Sequence, residues 1–435
     1  MGVTNIIFLL VFLFAVSMFS INLKRIISNI NLGRDVNRSD RPLDRWKNMF
    51  RVALGQSKMT RRPIAGILHI IIYVGFVIVN IEVIEILVDG IFGTHRFLSS
   101  ILPDSLYDFL IASFEILAFL VLIACVFFYT RRNLIKIKRF WNKEMTRWPR
   151  TDANLILIFE ILLMMAFLTM NAADSLLQSE DNHYVKAGLF PISQSIAPIL
   201  NGLEVSTLIF IERFCWWFHI LGILAFLNYV LISKHLHIFF AFPSTYYANL
   251  NPLGGLNNLE SVTKEVKLMM DPNADPYAAN NTSSPPQSFG AKDVTDLNWV
   301  QLLNAYSCTE CGRCTSNCPA NQTGKLLSPR KILMDTRDRI TEYSKNKRKG
   351  IEDTKSLLGD YIKPEELWAC TSCNACTDSC PIELDPLSII IDMRRYLVME
   401  QSAAPTELNM MFTNIENNGA PWQFSAADRL KWKDE

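Results

Sequence analysis

Two cysteine runs near the C-terminal end decide how this chain is interpreted: Cys308-Thr309-Glu310-Cys311-Gly312-Arg313-Cys314-Thr315-Ser316-Asn317-Cys318-Pro319 and Cys370-Thr371-Ser372-Cys373-Asn374-Ala375-Cys376-Thr377-Asp378-Ser379-Cys380-Pro381. Eight of the ten cysteines lie in these runs. Each run has the spacing C-x2-C-x2-C-x3-C-P, with which dicluster ferredoxins bind two [4Fe-4S] clusters. The sequence therefore predicts a protein that transfers electrons.

The spacing also predicts which cysteines share a cluster. The first three cysteines of a run bind one cluster, whereas the fourth ligates the other cluster. We expect the ligands of the two clusters to be Cys308, Cys311, Cys314 and Cys380 for the first, and Cys370, Cys373, Cys376 and Cys318 for the second. Two zinc sites are the alternative, but structural zinc sites usually pair C-x2-C knuckles instead of using four cysteines in one run.

The segments around the runs predict helices. Residues 319–369, between the runs, are more than a compact βαββαβ ferredoxin needs. Helical patterns occur at 299–306, 330–335, 351–358, 363–368 and 386–398. We therefore expect an α-helical dicluster ferredoxin domain at residues 297–400.

The N-terminal half has the composition of a membrane protein. Half of the 435 residues are apolar and the net charge is +1, which argues against a nucleic-acid partner and against an ordinary soluble enzyme. Five stretches are long and apolar enough to span a bilayer: 4–22, 64–88, 105–129, 153–171 and 206–232. The predicted fold class is all-α, a five-helix transmembrane bundle followed by the ferredoxin domain.

The domain order follows from this pattern. We predict a membrane haem b domain at residues 1–240, a polar linker at 241–296, the ferredoxin domain at 297–400, and a tail at 401–435 on which a partner docks.

The charges of the loops predict the orientation. Residues 24–62 carry eleven Lys or Arg against three Asp, and residues 130–152 carry eight basic against two acidic residues. Basic loops stay in the cytoplasm. The alternating loops, 90–104 and 173–205, contain few basic residues. We expect a multi-pass protein of a bacterial-type inner (cytoplasmic) membrane, with the N-terminus outside and the iron-sulfur domain in the cytoplasm.

Histidines on the second and fifth spans are candidate haem ligands. His219 and His237 are eighteen residues apart, so on a continuous helix they share a face about 27 Å apart, whereas His235 faces elsewhere. His69 and His237 lie at the same cytoplasmic level and would supply both axial ligands of one haem b. The alternative is that these histidines make only structural hydrogen bonds.

A second haem would need a partner for His219. The outer half of the second span has no histidine, which leaves His95 and His183 in predicted outer loops. Several polar residues also lie at membrane depth and indicate either interior pairs or proton and quinone sites: Glu82, Glu85, Glu115, Glu160, Asn171, Glu212 and Arg213.

Two resemblances extend this interpretation. The stretches 297–303, 306–314, 318–320 and 327–330 resemble the iron-sulfur module of membrane-bound oxidoreductases related to heterodisulfide reductase. The five-span half, with its three histidines and the segment Ser233-Lys234-His235-Leu236-His237, resembles the haem b gamma subunit of respiratory nitrate reductase.

The resemblances imply ligands and partners. They imply four haem ligands, two on span two and two on span five, of which His69, His219 and His237 match three and Val79 stands at the fourth position. They also imply a separate subunit with cysteine-rich CCG domains that docks on the ferredoxin domain and the tail.

The predicted function is a membrane-bound electron-transfer subunit of a quinone-linked respiratory oxidoreductase. Electrons would pass between a cytoplasmic donor, two [4Fe-4S] clusters, one haem b (two if His219 ligates another) and membrane quinone. The resemblance favours electron-transfer flavoprotein as the donor. The alternatives are quinol-dependent reduction of a cytoplasmic disulfide or thiol acceptor, and a haem-free membrane anchor for an iron-sulfur partner.

Overall fold

The membrane half is a bundle of long helices in the computed structural model, which describes residues 2–181, 184–273, 289–423, 425–428 and 430–434. Its helices are α1 (Val3–Ile30), α2 (Pro42–Met49), α3 (Pro63–Phe92), α4 (Asp104–Asn133), α5 (Arg147–Glu180), α6 (Ala197–Leu200) and α7 (Val205–Val230). Five of them, α1, α3, α4, α5 and α7, are long and apolar enough to cross a membrane. The predicted five-helix bundle is confirmed.

The bundle has a compact centre and a lipid-facing outside. Helix α5 packs against α4 and α7, α3 packs against α4, and α1 lies against α3 and α7. Phe114 and Phe167 are buried where α4 and α5 meet. Phe109 and Phe210 are 67% and 68% exposed, as expected for side chains that face hydrocarbon in a membrane.

Several polar groups inside the bundle are paired. Arg96 Nε donates to Asp174 Oδ2 at 2.8 Å, and Glu115 Oε2 accepts the backbone N–H groups of Ile192 and Ser193 at 2.9 and 3.1 Å. For Glu115 the structure therefore shows interior pairing, one of the two roles expected for the buried carboxylates.

The chain turns sharply after α7, so the prediction of a continuous helix from His219 to His237 is wrong. Ser233 has extended backbone (φ −106°, ψ 160°), and its Oγ accepts the backbone N–H of His235 at 3.1 Å. A serine side chain that binds a nearby backbone group competes with helix formation. A short 3-10 turn (Lys234–Leu236) then leads into α8 (His237–Tyr246).

The C-terminal part is helical, and the predicted α-helical ferredoxin domain is confirmed. Its helices, with α9 (Glu260–Met270) in the preceding linker, are α10 (Trp299–Ser307), α11 (Arg313–Ser316), α12 (Pro319–Gln322), α13 (Pro329–Lys349), α14 (Pro364–Trp368), α15 (Ala375–Ser379), α16 (Pro386–Met399) and α17 (Thr406–Asn418). Residues 274–288 of the predicted linker and 424, 429 and 435 of the predicted tail lie outside the described residues.

Local sequence signals fix several of these helix starts. Asn298 and Gln301 form a reciprocal capping box at α10, with distances of 3.0 and 2.8 Å. Ser328 and Asp385 accept backbone N–H groups at the starts of α13 and α16, each followed by proline. The helix predicted at 351–358 is wrong: residues 351–356 are irregular.

The ferredoxin domain docks on the end of the bundle that carries the basic loops. Arg61 pairs with Asp378 at 2.8 Å, and the backbone N–H of Arg34 donates to Leu297 O at 2.8 Å while the N–H of Trp299 donates to Arg34 O at 3.1 Å. Buried side chains from α1, α8, α10 and α13 form one apolar core across this contact: Ile26, Ile30, Phe240, Leu303 and Ile340. We call this contact the domain seam.

Candidate functional site

The first predicted set of cluster ligands draws on both runs, and its cysteines lie near one another, although the described residues contain no group of three or more His, Cys, Asp or Glu side chains that could hold a metal ion. Cys308, Cys311 and Cys314 lie on the loop from α10 into α11, and Cys380 follows α15. Helices α11 and α15 pack against each other, so Cys380 lies within electrostatic range of Cys308 and Cys311, and Cys314 lies within range of all three. Cys314 also lies within electrostatic range of Cys376, so the choice of the four cysteines that share a cluster stays a prediction.

The second set also combines the runs. Cys370 lies within electrostatic range of Cys318 and Cys373, and Cys376 lies within range of Cys370. The N–H of Ser372 donates to Cys370 Sγ at 3.4 Å. Cys373 is exposed, so this set lies at the surface of the domain.

The thiols suit iron-sulfur clusters. Burial raises the pKa of Cys308 to about 11 and that of Cys380 to about 12, so both are neutral thiols in the absence of a metal. Cluster iron binds thiolates, and its binding would release these protons. A backbone N–H directed at a sulfur, as at Cys370, is one of the contacts that tune cluster potentials.

The first cysteine loop has the tight geometry that a cluster loop needs. Gly312 has φ +71°, and a Cβ there would lie 2.6 Å from Arg330 Nη1. Arg330 is fully buried; its Nη1 donates to Arg139 O at 2.8 Å and its Nη2 to Glu144 Oε1 at 2.6 Å. Arg330 therefore connects this loop to the basic loop between α4 and α5.

His69 and His237 face each other at the seam end of the bundle. Their ring centroids are 6.4 Å apart. Metal–nitrogen distances of about 2.0 Å place the centroids of two axial imidazoles about 6 Å apart, so this spacing fits two ligands of one metal ion. His237 Nδ1 lies 3.1 Å from Lys234 O, a contact in which Nδ1 donates and Nε2 keeps its lone pair for a metal. His69 Nδ1 is buried without a hydrogen-bond partner in the described residues.

His235 lies closer to this pair than expected. The turn at Ser233 brings its ring to 5.5 Å from that of His237, so the prediction that it faces elsewhere is wrong. Its Nδ1 is another buried nitrogen that has no partner among the described residues. No pattern in the sequence indicated this position, because the helical wheel assumed a helix that the chain does not form.

His219 occupies a separate site deeper in the bundle. It is 1% exposed, its Nδ1 lies 3.0 Å from Leu163 O, and its ring packs at 5.6 Å from that of Phe167. Its Nε2 would thus be available to a metal. His95 is engaged elsewhere: Nε2 lies 3.1 Å from Asp174 Oδ1, and Nδ1 accepts the N–H of Val185.

The remaining predicted partners do not complete a second site. Val79 packs as a partly buried apolar side chain of the bundle core. His183 lies outside the described residues. The structure therefore brings His69 and His237 together, and brings His219 to neither of them.

Lys234 joins the histidine pair to the first cysteine loop. Its carbonyl accepts from His237 Nδ1, and its Nζ donates to Glu310 Oε2 at 2.6 Å. Glu310, between Cys308 and Cys311, also pairs with Arg337 at 2.9 Å. Burial acts to raise the pKa of Glu310, but the charges of Lys234 and Arg337 outweigh it and hold that pKa below its usual value. Glu310 is therefore an ionised group at the centre of a buried network.

A second connection runs through Arg313. Its Nη1 donates to Lys58 O at 3.0 Å, in the loop before α3. A Cβ at Gly66 would lie 2.6 Å from Met59 O, so that loop contacts α3 directly, one turn before His69. The first cysteine loop is thus fixed to the backbone beside each histidine of the pair.

We expect Lys234→Met to destabilise the domain seam by about 3 kcal/mol, the low end for breaking a buried pair, because Arg337 still neutralises Glu310. The midpoint temperature for loss of cluster absorbance should fall. The double variant with Glu310→Gln should recover part of the loss. Lys355→Met, which removes an exposed partner of Glu342 (2.7 Å), should change little. Equal effects of the two lysine variants would contradict this expectation.

Comparisons with known proteins place this arrangement in a class. Residues 307–384 match the family described as "4Fe-4S dicluster domain". The chain is thus an iron-sulfur protein with a dicluster domain joined to membrane helices. It is similar to the "Probable iron-sulfur-binding oxidoreductase FadF" of Bacillus subtilis, with 30% identity over 99% of this chain and 61% of that protein.

Two further relatives make the assignment more specific. The chain is 27% identical to the "EtfAB:quinone oxidoreductase" of Syntrophomonas wolfei, over 92% of this chain and 55% of that protein. It is 34% identical to one of the subunits of the "Ferredoxin/F(420)H(2)-dependent CoB-CoM heterodisulfide reductase" of Methanosarcina acetivorans, over 26% of this chain and 60% of that protein. The predicted resemblance to heterodisulfide-reductase-related iron-sulfur oxidoreductases is confirmed.

The extent of these matches limits what they imply. The chain spans about 60% of the length of the curated relatives that it matches over nearly its whole length. No solved structure matches it. The relatives support a membrane-associated iron-sulfur electron-transfer oxidoreductase.

Proposed function

We propose that this chain carries electrons between a cytoplasmic donor and membrane quinone through two [4Fe-4S] clusters and haem b. The observation that carries the proposal is the double connection between the first cysteine loop and the histidine pair. Lys234 connects Glu310 to His237, and Arg313 connects the loop to the start of α3 beside His69. Two redox sites joined by such short, buried contacts are suited to electron transfer between them.

The order of the sites gives the proposed route. The second cysteine set is at the surface of the domain, where Cys373 is exposed and a soluble partner can approach. The first set is linked to the bundle by Lys234, which contacts both Glu310 and His237, and by Arg313, which contacts the loop before α3. Electrons would therefore enter or leave at the second cluster and reach the membrane through the first.

The residues of the chain have distinct roles in this scheme. When bound, the clusters and haem b supply centres that accept and release single electrons. His69 and His237 would hold the haem, and the Lys234 carbonyl keeps the His237 Nε2 lone pair available. Seven of the eight cysteines in the two runs have buried or half-buried side chains, which limits the access of water to the clusters.

The proposed donor is electron-transfer flavoprotein. The support is the name of the Syntrophomonas wolfei relative, which refers to EtfAB and quinone. The basic loops lie at the same end as the ferredoxin domain, and by the positive-inside rule they support a cytoplasmic position for that end. A separate subunit with CCG domains, docked on the ferredoxin domain and tail, remains part of the proposal.

The second candidate function is electron flow in the opposite direction, from quinol to a disulfide or thiol acceptor. Relatives that are heterodisulfide reductase subunits favour it. A haem-free anchor is the third candidate.

One experiment separates these functions. The purified full-length protein is mixed with reduced electron-transfer flavoprotein or with quinol, and the haem absorbance and cluster signals are followed. We expect reduced flavoprotein to reduce both kinds of centre. Reduction by quinol alone would favour the opposite direction, and absence of a dithionite-reducible b-type spectrum would establish the anchor.

A further inference from the structure

Helix α13 lies across the end of the bundle that the ferredoxin domain covers, because both of its ends contact residues of the membrane half. At its start, Arg330 donates to Arg139 O at 2.8 Å and to Glu144 Oε1 at 2.6 Å. At its end, Arg348 Nη1 donates to Asn29 Oδ1 at 3.1 Å, near the end of α1. The twenty-one residues of α13 span about 30 Å. The helix therefore runs along the membrane surface.

The end of α13 lies close to the lipid headgroups. The apolar stretch of α1 ends at residue 22, and Asn29 is seven residues further on, about 10 Å along the helix. The headgroup region begins where the hydrocarbon ends and is about 5–7 Å thick. Arg348, which contacts Asn29, thus lies within about one Debye length of the headgroups, a distance over which charges still interact at physiological salt.

Helix α1 lies at the edge of the bundle, where it faces lipid. In its most apolar window 11% of the residues are buried, against 39% in α4 and 44% in α5. Near the basic end of α1, the side chains of Ile21 and Ile27 are 54% and 46% exposed. The end of α13 therefore lies beside a lipid-facing helix and not above the centre of the bundle.

The place where α13 meets α1 is strongly basic. Arg25 lies four residues before Asn29, one turn along α1, so the two share a face of the helix. We call the cations of these two helix ends the basic corner: Lys24, Arg25, Lys345, Lys347, Arg348 and Lys349. All six side chains are exposed, and none forms an ion pair with an acidic side chain in the part of the chain that the structure describes.

The acidic residues that follow α13 do not neutralise the basic corner. Asp353 pairs with Arg339 at 2.8 Å, and Glu352 is exposed. Six cations therefore face one free carboxylate nearby in the sequence.

Stabilisation of the helix explains only part of this charge. Cations in the last turn of a helix interact favourably with its dipole, which applies to Lys347, Arg348 and Lys349. Lys345 and the two cations of α1 lie before the last turns of their helices. Clusters of four to eight Lys or Arg beside a transmembrane helix are typical of sites for anionic lipids.

An apolar side chain accompanies the cations. Ile351 follows the basic run directly and is 53% exposed. An apolar group beside cations is the combination with which protein segments bind at a membrane interface. The end of α13 is therefore suited to contact with lipid in both its charge and its apolar surface.

We propose that the basic corner binds the headgroup of an anionic phospholipid and so holds the ferredoxin domain against the membrane. The headgroup phosphate lies between the ends of α1 and α13, and the acyl chains lie along the exposed side of α1. The binding is non-covalent, through charge and hydrogen bonds to the headgroup oxygens. The proposal does not depend on the proposed route of the electrons.

The test is native mass spectrometry of the purified full-length protein with its cofactors, in an equimolar mixture of phosphatidylglycerol and phosphatidylcholine with identical acyl chains. We expect the unaltered protein to retain phosphatidylglycerol preferentially. The variant Lys345→Gln/Lys349→Gln leaves the contact of Arg348 with Asn29 in place. It should weaken retention of phosphatidylglycerol about tenfold or more, since each cation near an anionic surface contributes about fivefold. Retention of phosphatidylcholine should not change.

Two matched variants separate the basic corner from other effects. Lys345→Arg/Lys349→Arg keeps both charges and should keep the preference for phosphatidylglycerol. Lys325→Gln/Lys363→Gln removes two exposed lysines of the same domain and should also keep it. Lys363 lies near the start of α13, because Glu366 in the following turn pairs with Lys331 at 3.0 Å. Retained cluster absorbance shows that each variant is folded.

Three results would overturn the proposal. Equal retention of the two lipids by the unaltered protein would leave an acidic protein as the occupant of the basic corner. Equal loss of phosphatidylglycerol in the two glutamine variants would show a general effect of charge. Full displacement of the lipid by sn-glycerol 3-phosphate, which has no acyl chains, would identify a site for a soluble phosphate. None of these results bears on reduction of the haem or the clusters, so the proposed function is tested separately.

Discussion

Replacing Cys380 with serine is expected to abolish the first cluster while the second remains, although Cys380 belongs to the second cysteine run. The structure brings Cys380 within electrostatic range of Cys308 and Cys311; Cys308 is buried, and Cys311 and Cys380 are half-buried. Loss of one thiolate removes the cluster, so the iron content should fall from about eight to about four per chain. Iron analysis with electron paramagnetic resonance of the reduced protein measures this.

The reciprocal variant makes the test specific. Cys318→Ser should remove the second cluster, because Cys318 lies within electrostatic range of Cys370. Cys125→Ser, a buried thiol on α4 far from both sets, should retain all the iron. The cross-run assignment would be refuted if Cys380→Ser and Cys370→Ser removed the same resonance signal.

Replacing His237 with alanine is expected to eliminate the b-type haem spectrum at the seam end of the bundle. The rings of His69 and His237 are 6.4 Å apart, and the contact of His237 Nδ1 with Lys234 O leaves its Nε2 available to a metal. His69 and His237 would together hold the haem, so the loss of His237 would leave one histidine of the pair to bind it. A haem count per chain and the dithionite-reduced spectrum measure the loss, which His69→Ala should reproduce.

Controls distinguish the three neighbouring histidines. His235→Gln should keep the haem, since His235 lacks the backbone contact that orients His237. His95→Gln, at the other end of the bundle, should also keep it. If the His235 variant lost the haem and the His237 variant kept it, His235 and not His237 would be the haem ligand.

The helices and the clustering of the cysteines were predictable because their signals are local. Each apolar stretch corresponds to one helix, although α1 ends eight and α5 nine residues beyond its stretch, and α7 ends two residues before its stretch does. Ser328-Pro329 and Asp385-Pro386 mark helix starts by their own chemistry. The cysteine runs could be recognised for the same reason, because the spacing within each run reflects the local geometry of a single loop.

The arrangement of the site was not predictable, because it depends on contacts between distant segments. The Lys234–Glu310 pair joins residues 76 positions apart, and neither residue type is unusual in its own context. The turn at Ser233 depends on one side-chain hydrogen bond and moved His235 to the pair. A helical wheel assumes a continuous helix and therefore cannot represent such a turn.

The domain seam has a consequence for biogenesis. Trp299 Nε1 donates to Val36 O at 3.1 Å across 263 positions, so the segment after the first membrane helix gains this contact only once Trp299 has been synthesised. The seam also covers Cys308 and Cys318, which share its apolar core. We therefore expect iron and sulfide to reach these thiols before the seam closes.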